Sequence, residues 1–150
     1  MHMPQQQINP QAGFTLFELM IAIAVIAILS SIGIPAYQGY IQKAALTDML
    51  QVMSPYKITV ELCHLEQGNI TNCNSGSQGI LVSRTSNYVS AVSVTNGIIT
   101  LTGSNTLSGL TLTLSPTVNQ TNSQLSWSRI CKTSPKNPSL EEACHDIFRF

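Results

Sequence analysis

The hydrophobic and polar positions change rhythm several times along the chain. Residues 1–13 are polar, with Pro4, Pro10, a glutamine run and no period. Residues 14–34 are almost wholly apolar, and at ~1.5 Å per residue a helix there covers the ~30 Å hydrocarbon core of a bilayer. Gly33 and Pro35 interrupt the run, and proline removes a backbone donor while crowding the turn before it. Past Pro35, Leu46, Met49, Leu50, Met53, Tyr56, Val60 and Cys63 recur at three- and four-residue steps, the mark of a helix with one buried face. Lys43, Asp48, Lys57, Glu61 and Glu66 mostly take the other positions. Pro55 is expected to bend this half. A helix from residue 14 to about residue 66 would extend roughly 80 Å. Half of it is expected to protrude.

Gly68 supplies a helix stop, and residues 69–87, rich in Asn, Ser and Gly, read as an extended connector. Residues 88–94 then alternate at period two, and Asn96-Gly97 separates them from Ile98-Ile99-Thr100-Leu101. Asn-Gly between such runs predicts a tight hairpin. Residues 110–114 form a third strand that Pro116 is expected to close, and residues 125–130 a fourth. A sheet with one apolar face needs a cover, and the apolar helix face is the only adequate candidate. Near the end, Ser139 and Glu142 match a capping box for a short helix. The expected class is α+β: a long N-terminal helix, its second half packed on a three- or four-stranded antiparallel sheet.

Seven basic and seven acidic side chains balance, so no global field favours nucleic acid or anionic lipid. Charged residues make up only 9% where about a quarter is usual, which suits a surface that packs against copies of itself. The four cysteines fall as two local pairs, Cys63/Cys73 and Cys131/Cys144. Their spacing favours local bridges over zinc, which normally uses a C-x-x-C pair. Each bridge is expected to contribute about 2–3 kcal/mol, and disulfides imply an oxidising compartment.

Composition leaves Glu18 unexplained. A carboxylate in hydrocarbon costs ~2.5–3.5 kcal/mol even on a lenient scale. A secretory signal peptide fits poorly, because residues 1–13 hold no Lys or Arg and the apolar run exceeds the usual length. A plain signal anchor fits the length but not the acid. Cleavage after Gly13 would free an amine at Phe14, close enough along a helix to meet Glu18 within the chain or between chains. Gly13-Phe14-Thr15-Leu16-Phe17-Glu18-Leu19 resembles the cleavage and methylation signal of type IV pilins.

The resemblance implies a leader (residues 1–13) removed by prepilin peptidase, N-methylation of Phe14, and a membrane and assembly helix over residues 14–35. A periplasmic or extracellular head would occupy residues 36–150. Gln11 and Ala12 stand where the family usually has a basic residue before the glycine, which thins the positive-inside signal. In the family the region near Pro35 can lose helicity in the fibre, and the same is expected here over residues 27–35. The cysteines sit like those of two-disulfide type IVa major pilins, with a disulfide-bounded C-terminal loop at an exposed edge. Small residues Ala24, Ala27 and Ser31 on one face suit either close helix packing or plain contact with lipid.

The chain offers no nucleophile–base grouping, Walker loop or H-E-x-x-H, so neither an enzyme nor a cofactor is expected. Glu61-x-x-His64 is half of a carboxylate metal motif that normally needs a second copy, and reads as a solvated helix face. His145 reads as a surface residue. Arg129, Lys132 and Lys136 could hold nucleic-acid phosphates, although Glu141, Glu142 and Asp146 would cancel much of that charge. Tyr37 and Tyr40 could be membrane-interface anchors or fibre contacts.

The expected function is that of a structural subunit of a type IV pilus. It would be held singly spanning in the inner membrane, then polymerised as a helical homo-oligomer on the cell surface by the assembly machinery. The fibre would serve adhesion, motility or DNA uptake. The alternatives are the major pseudopilin of a type II secretion system and a DNA- or surface-binding minor pilin at a fibre tip.

Overall fold

A computed structural model of the chain describes residues 13–150. The elements run in the order α1 (Leu16–Gln67), β1 (Val89–Thr95), β2 (Ile98–Gly103), β3 (Leu110–Val118), β4 (Leu125–Thr133) and α2 (Pro138–Ile147). The chain divides into two compact units, one ending at Tyr37 and the other spanning Gln38–Phe150.

In the first unit the large apolar side chains from Phe14 to Ile34 are all exposed, including Phe14 at 86% and Ile32 at 69%. Helix α1 is long and apolar enough to cross a membrane. Its backbone stays helical through Gly33 and Pro35. The expected loss of helicity there concerns the assembled fibre.

In the second unit, the helix face read from the sequence is the buried one. Leu46, Met49, Met53, Tyr56 and Val60 pack with Val92, Val94, Ile99, Leu101, Leu112 and Leu114 of the sheet. The sheet is an antiparallel meander in the order β1-β2-β3-β4. Asn96 and Gly97 take positive φ of 50° and 77°, as a type I′ hairpin requires. Gly68 (φ 71°) stops α1, its amide donating to the His64 carbonyl at 2.8 Å. A left-handed residue just past the last turn is a common helix end.

Three local expectations are corrected. Strict alternation in β1 fails, because a bulge between Val89 and Ala91 shifts the register. The extra residue lets Val89 and Val92, three apart, both point inward. Pro116 does not close β3, which runs to Val118 with Pro116 opposite Trp127 of β4. The pairing of β2 with β3 has already ended at Leu114, so Pro116 stands where one flank of β3 is an edge, as a strand proline must. The cap of α2 is Asn137, whose side chain accepts from the Leu140 amide at 3.2 Å; it is not the Ser139–Glu142 box. Pro138, whose missing N–H costs nothing in the first turn, starts the helix one residue before Ser139.

The connector over residues 69–87 is an ordered border to the sheet. The Ser75 and Ser83 hydroxyls accept from the Val94 and Val92 amides at 2.8 and 3.0 Å. The Ser75 amide donates to the Val94 carbonyl at 3.0 Å. These bonds satisfy backbone groups that an edge strand otherwise leaves bare. Tyr56 ties the same segment to the core, donating to the Val82 carbonyl and accepting from the Arg84 amide, both at 2.8 Å.

Candidate functional site: the start of the long helix and the edges of the head

The start of α1 is built by Thr15 and Glu18. The Thr15 amide and hydroxyl both donate to Glu18 Oε2 at 2.9 Å, and the Glu18 amide donates back to Thr15 Oγ1 at 3.2 Å. This is a capping box: a hydroxyl and a carboxylate three residues apart satisfy donors that a helix start leaves unpaired. The carboxylate also lies at the positive end of the helix dipole. Thr15 is a capping residue that the sequence reading missed, although Thr15-x-x-Glu18 carried the signal. Gly13 and Phe14 precede the helix outside any regular element, both exposed. The cleavage expected after Gly13 would therefore fall at an open peptide. Residues 1–12 of the expected leader lie outside the described residues.

The cysteines pair as Cys63–Cys73 and Cys131–Cys144. The first ties the last turn of α1 to the connector, and the second ties α2 to β4. All four are buried.

The three basic candidates do not form one patch. Alternation along β4 puts Arg129 on the half-buried inner side and Lys132 on the exposed one. Lys136 follows in the exposed turn before α2. Acids answer them. Glu141 lies below the ordinary carboxylate range because the Thr133 hydroxyl and amide donate to it at 2.8 and 2.9 Å, with Lys136 and His145 adding smaller attractions. Asp146 is lowered chiefly by its hydrogen bond from Arg149, with Lys43 and Arg129 adding to it. A phosphate backbone would find charge divided between the inner and outer sides of β4 and the segment before α2.

Glu61 and His64 are not a solvated face. His64 is buried, its Nε2 3.2 Å from the Ser123 carbonyl. Glu61 accepts from Trp127 Nε1 at 2.8 Å and pairs with Lys57 at 3.5 Å. Lys57 in turn lies 5.1 Å from the Phe150 ring centroid. A tryptophan on β4 draws the acid inward, and the helix periodicity carried no sign of it. Among the described residues no group of three or more His, Cys, Asp or Glu could hold a metal ion. His145 is exposed, as read.

The chain matches two family patterns: the prokaryotic N-terminal methylation motif over residues 8–34, and the pilin (bacterial filament) family over residues 42–144. The chain belongs to the type IV pilin family. It is 50% identical over 142 residues to the prepilin peptidase-dependent protein D of Escherichia coli K12, an alignment covering 95% of this chain and 97% of that one. It is 32% identical to the fimbrial protein EcpC of Eikenella corrodens, covering 91% and 92%. Its fold matches the solution structure of the major type IV pilin PpdD of enterohemorrhagic Escherichia coli, with a TM-score of 0.64 and 45% identity over 74% of this chain and 83% of that one. Pilins are structural proteins rather than enzymes. Membership implies processing by prepilin peptidase and assembly as a multimer.

Proposed function

We propose that the chain is the structural subunit of a type IV pilus. The observation that carries this reading is Glu18, an acid at the head of an apolar helix with only Thr15 for a partner among the described residues. Prepilin peptidase cuts after Gly13 and methylates the Phe14 amine. The subunit waits in the inner membrane through residues 14–35. Polymerisation moves this segment from lipid into a bundle of like helices, where Glu18 meets the Phe14 amine of a neighbouring copy. In that dry surround, removing one partner of the pair costs about 3–5 kcal/mol. The likeness to proteins named as fimbrial or pilin subunits, over 91% of this chain for one and 74% for the other, supports the same reading.

Electron microscopy of cells bearing the assembly machinery tests it. Surface fibres are expected from the native chain, and Glu18→Ala is expected to abolish them while leaving cleavage intact. Normal fibres from Glu18→Ala would refute the charge pairing. Fibres seen only on overexpression would instead identify a secretion pseudopilin. Adhesion, motility and DNA uptake are functions of the finished fibre, and the divided charge of Arg129, Lys132 and Lys136 gives DNA contact no preference among them.

A further inference from the structure

Where the last turn of α1 faces the turn that joins β3 to β4, the second unit holds two adjoining clefts of about 570 and 350 Å³. Both fall in the size range of small-ligand sites, and both have His64, Leu65 and Ser123 among their walls. The turn is preformed. The Asn119 amide donates to the Gln124 carbonyl at 2.8 Å, the Ser123 amide to the Asn119 carbonyl at 2.9 Å, and Asn119 Oδ1 accepts from the Thr121 amide at 2.9 Å. A wall already ordered loses little freedom on taking a ligand. The larger cleft is polar without being charged. Among the described residues no Asp, Glu, Lys or Arg lines it. Its lining residues bring Asn119 Nδ2, the Gln120 side-chain amide and the Thr71 and Ser123 hydroxyls, none of them bonded to the rest of the described chain. Leu65, Ile70 and Val118 add aliphatic surface. His64 brings an unmet need. It is 5% exposed, and its Nε2 lies 3.2 Å from the Ser123 carbonyl. A carbonyl only accepts, so in the neutral ring Nε2 carries the proton and Nδ1 is an acceptor. Among the described residues Nδ1 has no donor, and a buried polar atom left so costs free energy.

We propose that the larger cleft binds a neutral oligosaccharide. Side-chain amides and hydroxyls both give and accept hydrogen bonds, which is what a ring of sugar hydroxyls asks of a site. The aliphatic groups take the C–H face of the sugar. One sugar hydroxyl, directly or through a water, supplies the donor that His64 Nδ1 lacks. A nucleic acid or other phosphate would need cations, and the Glu61 carboxylate of the smaller cleft repels an anion. A peptide would need an apolar pocket for an anchoring side chain, whereas these walls are mainly polar. Among the described residues no Phe, Tyr or Trp lines the cleft, so a sugar has no ring to stack on and binding at one copy is expected to be weak. Repetition along a fibre would raise it. The cleft belongs to a single copy, however, and the inference stands whether or not the subunit polymerises.

Nuclear magnetic resonance on dispersed subunits tests this without requiring a filament. Full-length, doubly bridged, isotope-labelled protein in dodecylphosphocholine micelles, which carry no sugar, is titrated with maltotriose, chitotriose and lactose. Sialyllactose serves as the charged counterpart of lactose. At least one neutral sugar is expected to shift the backbone amides of Gly68, Thr71, Asn119 and Ser123, and sialyllactose to shift them no more than lactose does. Asn119→Asp keeps the oxygen that holds the Thr121 amide, but it removes a donor and adds a charge. Together with Gln120→Ala it is expected to weaken binding at least about fivefold while the resonances of the sheet stay in place. Should the double variant lose its fold, Gln120→Ala alone carries the test, because that side chain bonds to nothing else in the described chain. No shift from any of the three neutral sugars, shifts centred elsewhere, or binding that ignores the substitutions would each overturn the inference and leave polymerisation standing. Tighter binding of sialyllactose would overturn it in favour of an anionic ligand. Shifts at the same amides from the uncharged peptide acetyl-Gly-Ser-Gly-amide, with none from the sugars, would overturn it in favour of a peptide site.

Discussion

Tyr56 shows how much of the head rests on single polar atoms. It is fully buried, and its hydroxyl is both donor and acceptor to the connector. Tyr56→Phe keeps the ring but leaves the Val82 carbonyl and Arg84 amide to find water. The expected cost is about 1–3 kcal/mol, read as a lowered denaturation midpoint with the disulfides intact. Glu141 makes a pH-dependent contribution. Its carboxyl lies below its ordinary range in the fold because Thr133 donates to it. The stability it confers is therefore present above its unfolded value near 4.3 and is lost as pH falls through the depressed folded value. Unfolding midpoints of the native chain are expected to drop more than those of Glu141→Gln between about pH 5 and pH 3. At this scale the sequence was legible where one residue type implies one geometry, as with Asn96-Gly97 and Gly68. It was silent on Glu61, because nothing in the helix spacing announces that Trp127, far along the chain, will donate to it.

Among elements, the second half of the long helix and the strands were readable from periodicity, whereas the short final helix was read from a capping box that Asn137 in fact replaces. What periodicity misplaced were the strand ends and caps, where a single backbone group decides. The bulge at Val89/Ala91 is invisible to an alternation count. Pro116 seemed to end a strand only because the missing neighbour on its β2 side could not be known. Thr15 went unread at the N-terminus of α1 although its spacing to Glu18 was on the page. Removing the second bridge tests the element-scale account: Cys131→Ser with Cys144→Ser takes away the covalent tie between α2 and β4 and leaves the Thr133–Glu141 bonds. The loss is expected to be about 2–3 kcal/mol on the loop-entropy estimate, measured by denaturant unfolding, with fraying confined to α2 in hydrogen exchange.

For the whole molecule, the balance of acids and bases argued against a global field for nucleic acid or lipid, and the low charge content suited a surface that packs against copies of itself. The motif at the head of the helix then named a family. The mature mass is the economical check. Subunits purified from cells are expected to lack residues 1–13, to carry one added methyl group, and to show the hydrogen loss of two bridges. Mass at the full unprocessed length would remove the free amine on which the charge pairing depends. The methylation-motif and pilin matches bear out the family that Gly13 to Leu19 suggested.

The serines that close off β1 have a consequence for how the protein ages. Hydroxyls from the chain's own connector occupy the sites at which a foreign extended segment would dock. On that flank the sheet cannot recruit strands from other molecules, so crowding does not convert the fold into a cross-β deposit there.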